Sequence, residues 1–268
     1  MRSLHTQRSA GSATRHRSAG VSRVVPCRLR QASTTTTNLP RPISCQGVKL
    51  DAEFQALLEG AMARSSCTVG DRVGIIGLKF VEEGRREGCP VMESAIRLGC
   101  YLRDYKHAAI RGRTFLELGT GIGVAGLTAA AFGATVLLTD LPEVVPVAGK
   151  NLAKNADLIR GAGGLAQVAA LDWAAPSEEL LTAPWDYIIG SDLVYDDRSP
   201  DVLAPLLARL LASNPRATVL LAHVHRSSQL DDHMTDVFGA HGLSIRLAPR
   251  DGEDTHEEDI SIIAVSRA

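Results

Sequence analysis

Apolar and polar positions along this chain follow two alternating periods. Thr114-Phe115-Leu116-Glu117-Leu118 is a short apolar run that reads as a buried strand. Further runs of the same kind follow at Thr135–Thr139, Leu165–Leu171, Trp185–Asp192 and Thr218–Ala222. Between them, helices are predicted from Pro142 in a first turn to about Ala156, over Val202–Ala212 and over Leu230–Gly239. Ahead of the first core strand, apolar positions 92, 95, 96, 99 and 102 have helical spacing and predict a helix over 91–102. Further upstream, Asp51–Met62 reads as a short amphipathic helix, and Val69–Val81 as strands of a small hairpin-like lead-in. Leu243–Leu247 and Ile260–Val265 are the final strands. The stretch between them, Arg250–Glu258, is polar and acidic with no helical pattern, so the two should pair as a hairpin. The expected fold is α/β: a doubly wound, Rossmann-like sheet of seven strands ending in an antiparallel hairpin. A dinucleotide-binding fold would continue with a second βαβ half instead.

The first core strand runs into Gly119-Thr120-Gly121-Ile122-Gly123, and an Ala-rich helical segment opens just after. Glycine is required where a backbone turns sharply against a ligand, and a helix opening behind it presents free N–H groups. Gly121, Gly123 and Gly126 match the G-x-G-x-x-G dinucleotide pattern, which by itself is weak. Glu117, an acid just before the glycines, gives instead the E/D-x-G-x-G-x-G form of S-adenosylmethionine-dependent methyltransferases, where an acid can face the cofactor's positive methionine end. Asp140 ends the second strand, where a carboxylate can accept from both ribose hydroxyls. The bland alternative is that it caps the following helix, and the two roles are compatible.

Charge changes the picture at one end only. The chain has 268 residues and a net charge of −1, so bulk charge gives no sign of a nucleic-acid partner. No apolar run approaches the roughly 20 residues that span a bilayer. Five widely spaced cysteines contain no C-x-x-C pair, which favours free thiols. Yet no acid precedes Asp51, while Arg2, Arg8, Arg15, Arg17, Arg23, Arg28, Arg30 and Arg41 all do, among Ser, Thr and Ala. That is the composition of a chloroplast or mitochondrial transit peptide; a basic tail on a cytoplasmic protein is the alternative. Residues 1–46 are therefore expected to be a disordered targeting segment, 47–110 a lead-in, and 111–268 the catalytic core.

The chain from about Val91 resembles the seven-β-strand protein-lysine methyltransferases, the group acting on valosin-containing protein, Hsp70 chaperones and elongation factors. The matching residues are Leu116-Glu117-Leu118-Gly119-Thr120-Gly121-Ile122-Gly123, Thr139-Asp140-Leu141-Pro142, Asn151 with Asn155, Leu171-Asp172-Trp173, Asp186-Tyr187-Ile188, Asp192-Leu193-Val194-Tyr195 and Glu258-Asp259-Ile260-Ser261-Ile262-Ile263. The resemblance implies a class I methyltransferase fold, S-adenosylmethionine as cofactor, and a lysine-bearing protein as substrate, with the enzyme working as a monomer. It implies that Glu117, Gly119, Thr120, Gly121, Asp140, Asp172, Trp173 and Asp192 hold the cofactor, with Trp173 beside the adenine. Asp192 and Tyr195 would line the methyl-transfer site. Two departures bear on substrate identity: Met92-Glu93 stands where the family has a tryptophan and an acid, and His223-Val224-His225-Arg226 stands where it has Tyr-Glu-x-Arg.

Other chemistries are weaker. Trp173 reads as well as general core, and Asp192 and Tyr195 as residues satisfying loop backbone. His223 and His225 alternate on one strand face with His233 nearby, but no cysteine or carboxylate has ligand spacing, so no metal is expected. There is no G-x-S-x-G of a serine hydrolase. A small-molecule N-methyltransferase and a non-catalytic cofactor-binding scaffold are the alternative functions.

Overall fold

The computed structural model describes residues 78–80, 91–248 and 259–268. The expected targeting segment, the helix over 51–62, most of the 69–81 lead-in and the acidic stretch over 250–258 lie outside the described residues. The elements in chain order are α1 (Glu93–Tyr101), continued by a π turn (Leu102–Lys106) and a last α turn (His107–Ile110), then β1 (Thr114–Leu118) and α2 (Val124–Ala131). Next come β2 (Thr135–Asp140), α3 (Val145–Gly161), β3 (Leu165–Ala170), α4 (Glu178–Thr182), β4 (Tyr187–Ser191) and α5 (Ser199–Ser213). The described chain closes with β5 (Thr218–Val224), α6 (Ser228–Ala240), β6 (Leu243–Leu247) and β7 (Ile260–Arg267).

The seven strands lie in the order β3-β2-β1-β4-β5-β7-β6. β1 to β5 pair in parallel, while β7 runs antiparallel between β5 and β6. The expected hairpin is therefore present, and its second strand inserts beside β5. Strand alternation divides the core into two layers. Phe115, Val136, Leu138, Ile189, Leu220 and Ala222 face one layer, with α1, α2 and α3. Leu116, Leu118, Leu137, Ile188, Val219 and Leu221 face the other, with α4, α5 and α6. Parallel strands buried on both faces read as continuous apolar runs, which is why they were legible.

Two asparagines on α3 fasten what surrounds the glycine loop. Asn151, fully buried, donates to the Ile122 carbonyl at 2.8 Å. One turn on, the Asn155 amide pairs with both backbone groups of Lys79, accepting from its N–H at 2.8 Å and donating to its carbonyl at 2.7 Å. An amide side chain can thus imitate a strand neighbour, and it ties Leu78–Phe80 to the core at about 1 kcal/mol per bond. Leu78 and Phe80 are each about 1% exposed.

Candidate active site

The parallel strands end along one edge of the sheet, and the order reverses between β1 and β4. Ligands in such sheets bind beyond the strand ends at that switch point. Gly119, Gly121 and Gly123 have φ of 60°, 55° and 92°, so the loop leaving β1 is left-handed at every second residue, where a side chain would be strained. The Thr120 amide donates to the Thr139 carbonyl at 2.9 Å, and the Thr139 hydroxyl returns a bond to the Glu117 carbonyl at 2.6 Å. The ends of β1 and β2 are thereby stitched together under the loop.

Glu117 lies beneath this loop and not on its open side. It is 1% exposed; one oxygen accepts the Gly126 amide at 3.1 Å and the other the Thr120 hydroxyl. Burial pushes its pKa up to about 8, against the lowering pull of those two bonds. It is therefore mostly a neutral acid at pH 7, and its work is to hold loop and helix together. A Cβ on Gly126 would stand 2.3 Å from Glu117 Oε2, so the third glycine of the pattern is there to admit this carboxyl. The expectation that Glu117 presents charge to the cofactor's methionine end is not met in this geometry. Thr120, likewise buried, spends its side chain on Glu117.

Asp140 stands at the rim. Its two oxygens accept from the Gly121 amide at 2.7 Å and the Leu141 amide at 2.8 Å. Burial raises its pKa, and the two amides oppose that. A carboxylate offers about four lone-pair sites, so two remain for ribose hydroxyls. Asp172, exposed, accepts from the Ala174 amide at 2.9 Å and so fixes the turn that carries Trp173. Trp173 reaches the loop: a Cβ on Gly119 would lie 3.4 Å from its Cζ2. A bare glycine surface beside an aromatic ring is a suitable wall for a purine.

Asp192 is the only non-glycine with left-handed φ among the described residues, at 55°. Its amide still extends the ladder, donating to the Ala222 carbonyl at 2.8 Å. The turn throws Leu193 back over β1 and β4, where its methyls occupy the space a Cβ would need at Gly119 (2.7 Å) and Gly190 (2.5 Å). Backbone strain of this kind persists only where surroundings over-determine it, and it concentrates at functional sites. Here the restraint is Arg226, whose Nη1 and Nη2 donate to the two Asp192 oxygens at 2.5 and 2.8 Å. Tyr195, three residues on, is 51% exposed, with its amide capped by the Ser199 hydroxyl at 3.1 Å.

The structure thus gathers Gly119, Gly121, Asp140 and Trp173 around the glycine loop, with Asp192 joined to them through Leu193. Arg226 was visible in sequence only as the remnant of a family motif; its partner was not. Asp231 is the other residue that sequence spacing missed, since it meets both His223 and His225. His233 goes elsewhere, to the Asp197 carbonyl at 3.0 Å.

A β7 strand inserted antiparallel beside β5, in place of a second βαβ half, together with this loop defines a class I methyltransferase using S-adenosylmethionine. The model of the lysine methyltransferase family matches residues 76–238, and the chain belongs to that family. EEF1A lysine methyltransferase 3 of Xenopus tropicalis is 28% identical over 66% of this chain and 74% of its own. The Schizosaccharomyces pombe protein-lysine N-methyltransferase rrg1 is 30% identical, over 54% of this chain and 48% of its own. Among solved structures, the magnesium protoporphyrin IX methyltransferase of Synechocystis is similar with a TM-score of 0.47, at 14% identity over 81% of this chain and 95% of that one.

Proposed function

We propose that this protein methylates a lysine side chain of a protein substrate at the edge formed by the ends of β1, β2, β4 and β5. The observation that carries this reading is the strained Asp192, held by the Arg226 fork immediately beside the glycine loop. S-adenosylmethionine supplies, when bound, a methyl group already activated by a positively charged sulfur. The chain's residues fit it: Asp140 keeps lone pairs for the ribose, Trp173 and Gly119 offer a flat wall for the adenine, and Glu117 and Thr120 keep the loop in shape.

Little remains for the protein but alignment and deprotonation of the amine. A lysine has a solution pKa of about 10.4 and arrives charged. Asp192 retains lone pairs beyond those given to Arg226, and they receive the ammonium and fix its direction. Leu193, next to Asp192, sheds water around it, and desolvation lowers the amine's pKa, so that its proton passes to Asp192 or to water at that carboxylate. Tyr195 stands at the rim, where its ring face attracts a cation.

The family supports a polypeptide substrate, and a single chain carries every residue named, which supports action as a monomer. The Arg-rich, acid-free N-terminus supports import into a chloroplast or mitochondrion. The test is incubation of the purified protein with tritiated S-adenosylmethionine and an organelle extract, followed by mass spectrometry. Labelled lysine in a protein is expected, and the Asp140→Ala variant should bind the cofactor at least about 10-fold more weakly, as for loss of a hydrogen bond to a charged group. Label found only in metabolites would overturn the substrate assignment.

A further inference from the structure

The family match leaves one constellation without a role. β5 alternates faces, so Val219, Leu221 and His223 look toward α6. His225 continues that alternation just past the strand end, its amide pinned to the Asp259 carbonyl at 2.8 Å. α6 is started by Ser227, whose hydroxyl accepts the Leu230 amide, and Asp231 falls in its first turn. The helix packs against β6 and α5 and brings that carboxylate to both imidazoles. His223 Nε2 lies 2.7 Å from Asp231 Oδ1, and His225 Nδ1 lies 2.9 Å from Asp231 Oδ2.

We propose that His223, His225 and Asp231 form a binding site for a divalent transition-metal cation such as Zn2+, a role beyond methyl transfer. One ligand atom from each residue falls within a single 4.8 Å span. Tetrahedral zinc takes nitrogen and carboxylate ligands at about 2.0–2.2 Å, which places ligand atoms about 3.3 Å apart. The two hydrogen-bonded pairs open by about half an ångström, while the widest separation in the set, up to 4.8 Å, closes by about 1.5 Å to admit the ion. Asp231 is partly exposed on the first turn of its helix and free to make that adjustment. Two imidazoles and one carboxylate suit zinc and its transition-metal neighbours, whereas calcium and magnesium prefer all-oxygen sites.

The surroundings are those of a ligand set. The second nitrogen of His225, Nε2, lies 2.9 Å from the Ser261 hydroxyl. A hydroxyl both donates and accepts, so Ser261 can hold the ring in the tautomer that leaves Nδ1 for a metal. His223 is 3% exposed and His225 39%, so the set has a buried wall and an open mouth where water or a substrate group completes the coordination. The next residue, Arg226, is the one that forks Asp192, so a cation here braces the strand end from which that fork projects.

The test is calorimetric titration of Zn2+ into the chelator-stripped full chain, with the visible spectrum of added Co2+ reporting coordination. One ion per chain is expected. His225→Gln, at a half-exposed position, should weaken binding by at least about 100-fold. Ser261→Ala leaves every ligand in place and should weaken it by about 10-fold, the usual range for an orienting partner. No uptake by the wild type, or equal affinity in His225→Gln with its circular dichroism unchanged, would overturn the site and leave Asp231 as a hydrogen-bond brace between β5 and α6. Since methylation of a protein is read separately, failure here leaves the methyltransferase reading untouched.

Discussion

Glu117→Gln separates the structural reading of the acid before the glycines from a charge-based one. Burial raises the carboxyl from 4.5 to about 8, so between those values the folded protein holds a proton that the unfolded chain releases. Stability is then highest below the unfolded value, falls as pH rises through the window, and levels off above about 8. At about 1.4 kcal/mol per pH unit, the wild type should lose about 2–3 kcal/mol from this group between pH 5.5 and 7.5. Glutamine is nearly isosteric and never ionises. Its carbonyl can accept the Gly126 amide and its NH2 can donate to the Thr120 hydroxyl, so the loop should keep its shape. Urea denaturation at both pH values gives four unfolding free energies, and the wild-type pH slope minus the variant's isolates Glu117 from every other titrating group. The variant is expected to be the more stable protein at pH 7.5 and to bind S-adenosylmethionine with unchanged affinity. Parallel pH profiles would refute the neutral buried acid, and loss of cofactor binding with stability retained would return Glu117 to the cofactor itself.

Three further outcomes follow from the same geometry. Gly126→Ala puts a Cβ 2.3 Å from the Glu117 carboxyl and should cost about 1–3 kcal/mol in chemical denaturation; an unchanged midpoint would mean that the carboxyl is not packed there. Arg226→Lys keeps the charge but loses the two-pronged hold on Asp192, so kcat should fall by about 10-fold or more while cofactor affinity stays. A larger effect on cofactor affinity than on kcat would place Asp192 in the cofactor site instead. A fluorescent protein fused behind residues 1–46 should enter a chloroplast or mitochondrion, and a cytosolic signal would end the targeting proposal.

Local sequence carried a good part of this molecule. Strands such as Phe115–Leu118 and Ile188–Gly190 are buried on both faces, so each registers as an apolar run, and the polar stretch after Leu247 left no room for a crossover helix. The glycine loop was legible because left-handed backbone demands glycine at fixed intervals. Helix ends were less so: α3 runs over Val145–Gly161 where 142–156 was expected, and α4 is too short to leave a period. What sequence could not supply is what a side chain faces. Glu117 looks like a charge for the ligand until burial makes it a neutral pin between Thr120 and Gly126. Asp192 looks like a lone base until Arg226, 34 residues on, takes both its oxygens, and Asp231 has no ligand spacing to His223 until α6 folds back onto β5. Periodicity reports which residues share a face of one element; only packing elements together decides which faces meet, and the pKa, the strain and the partners of a polar side chain are set there.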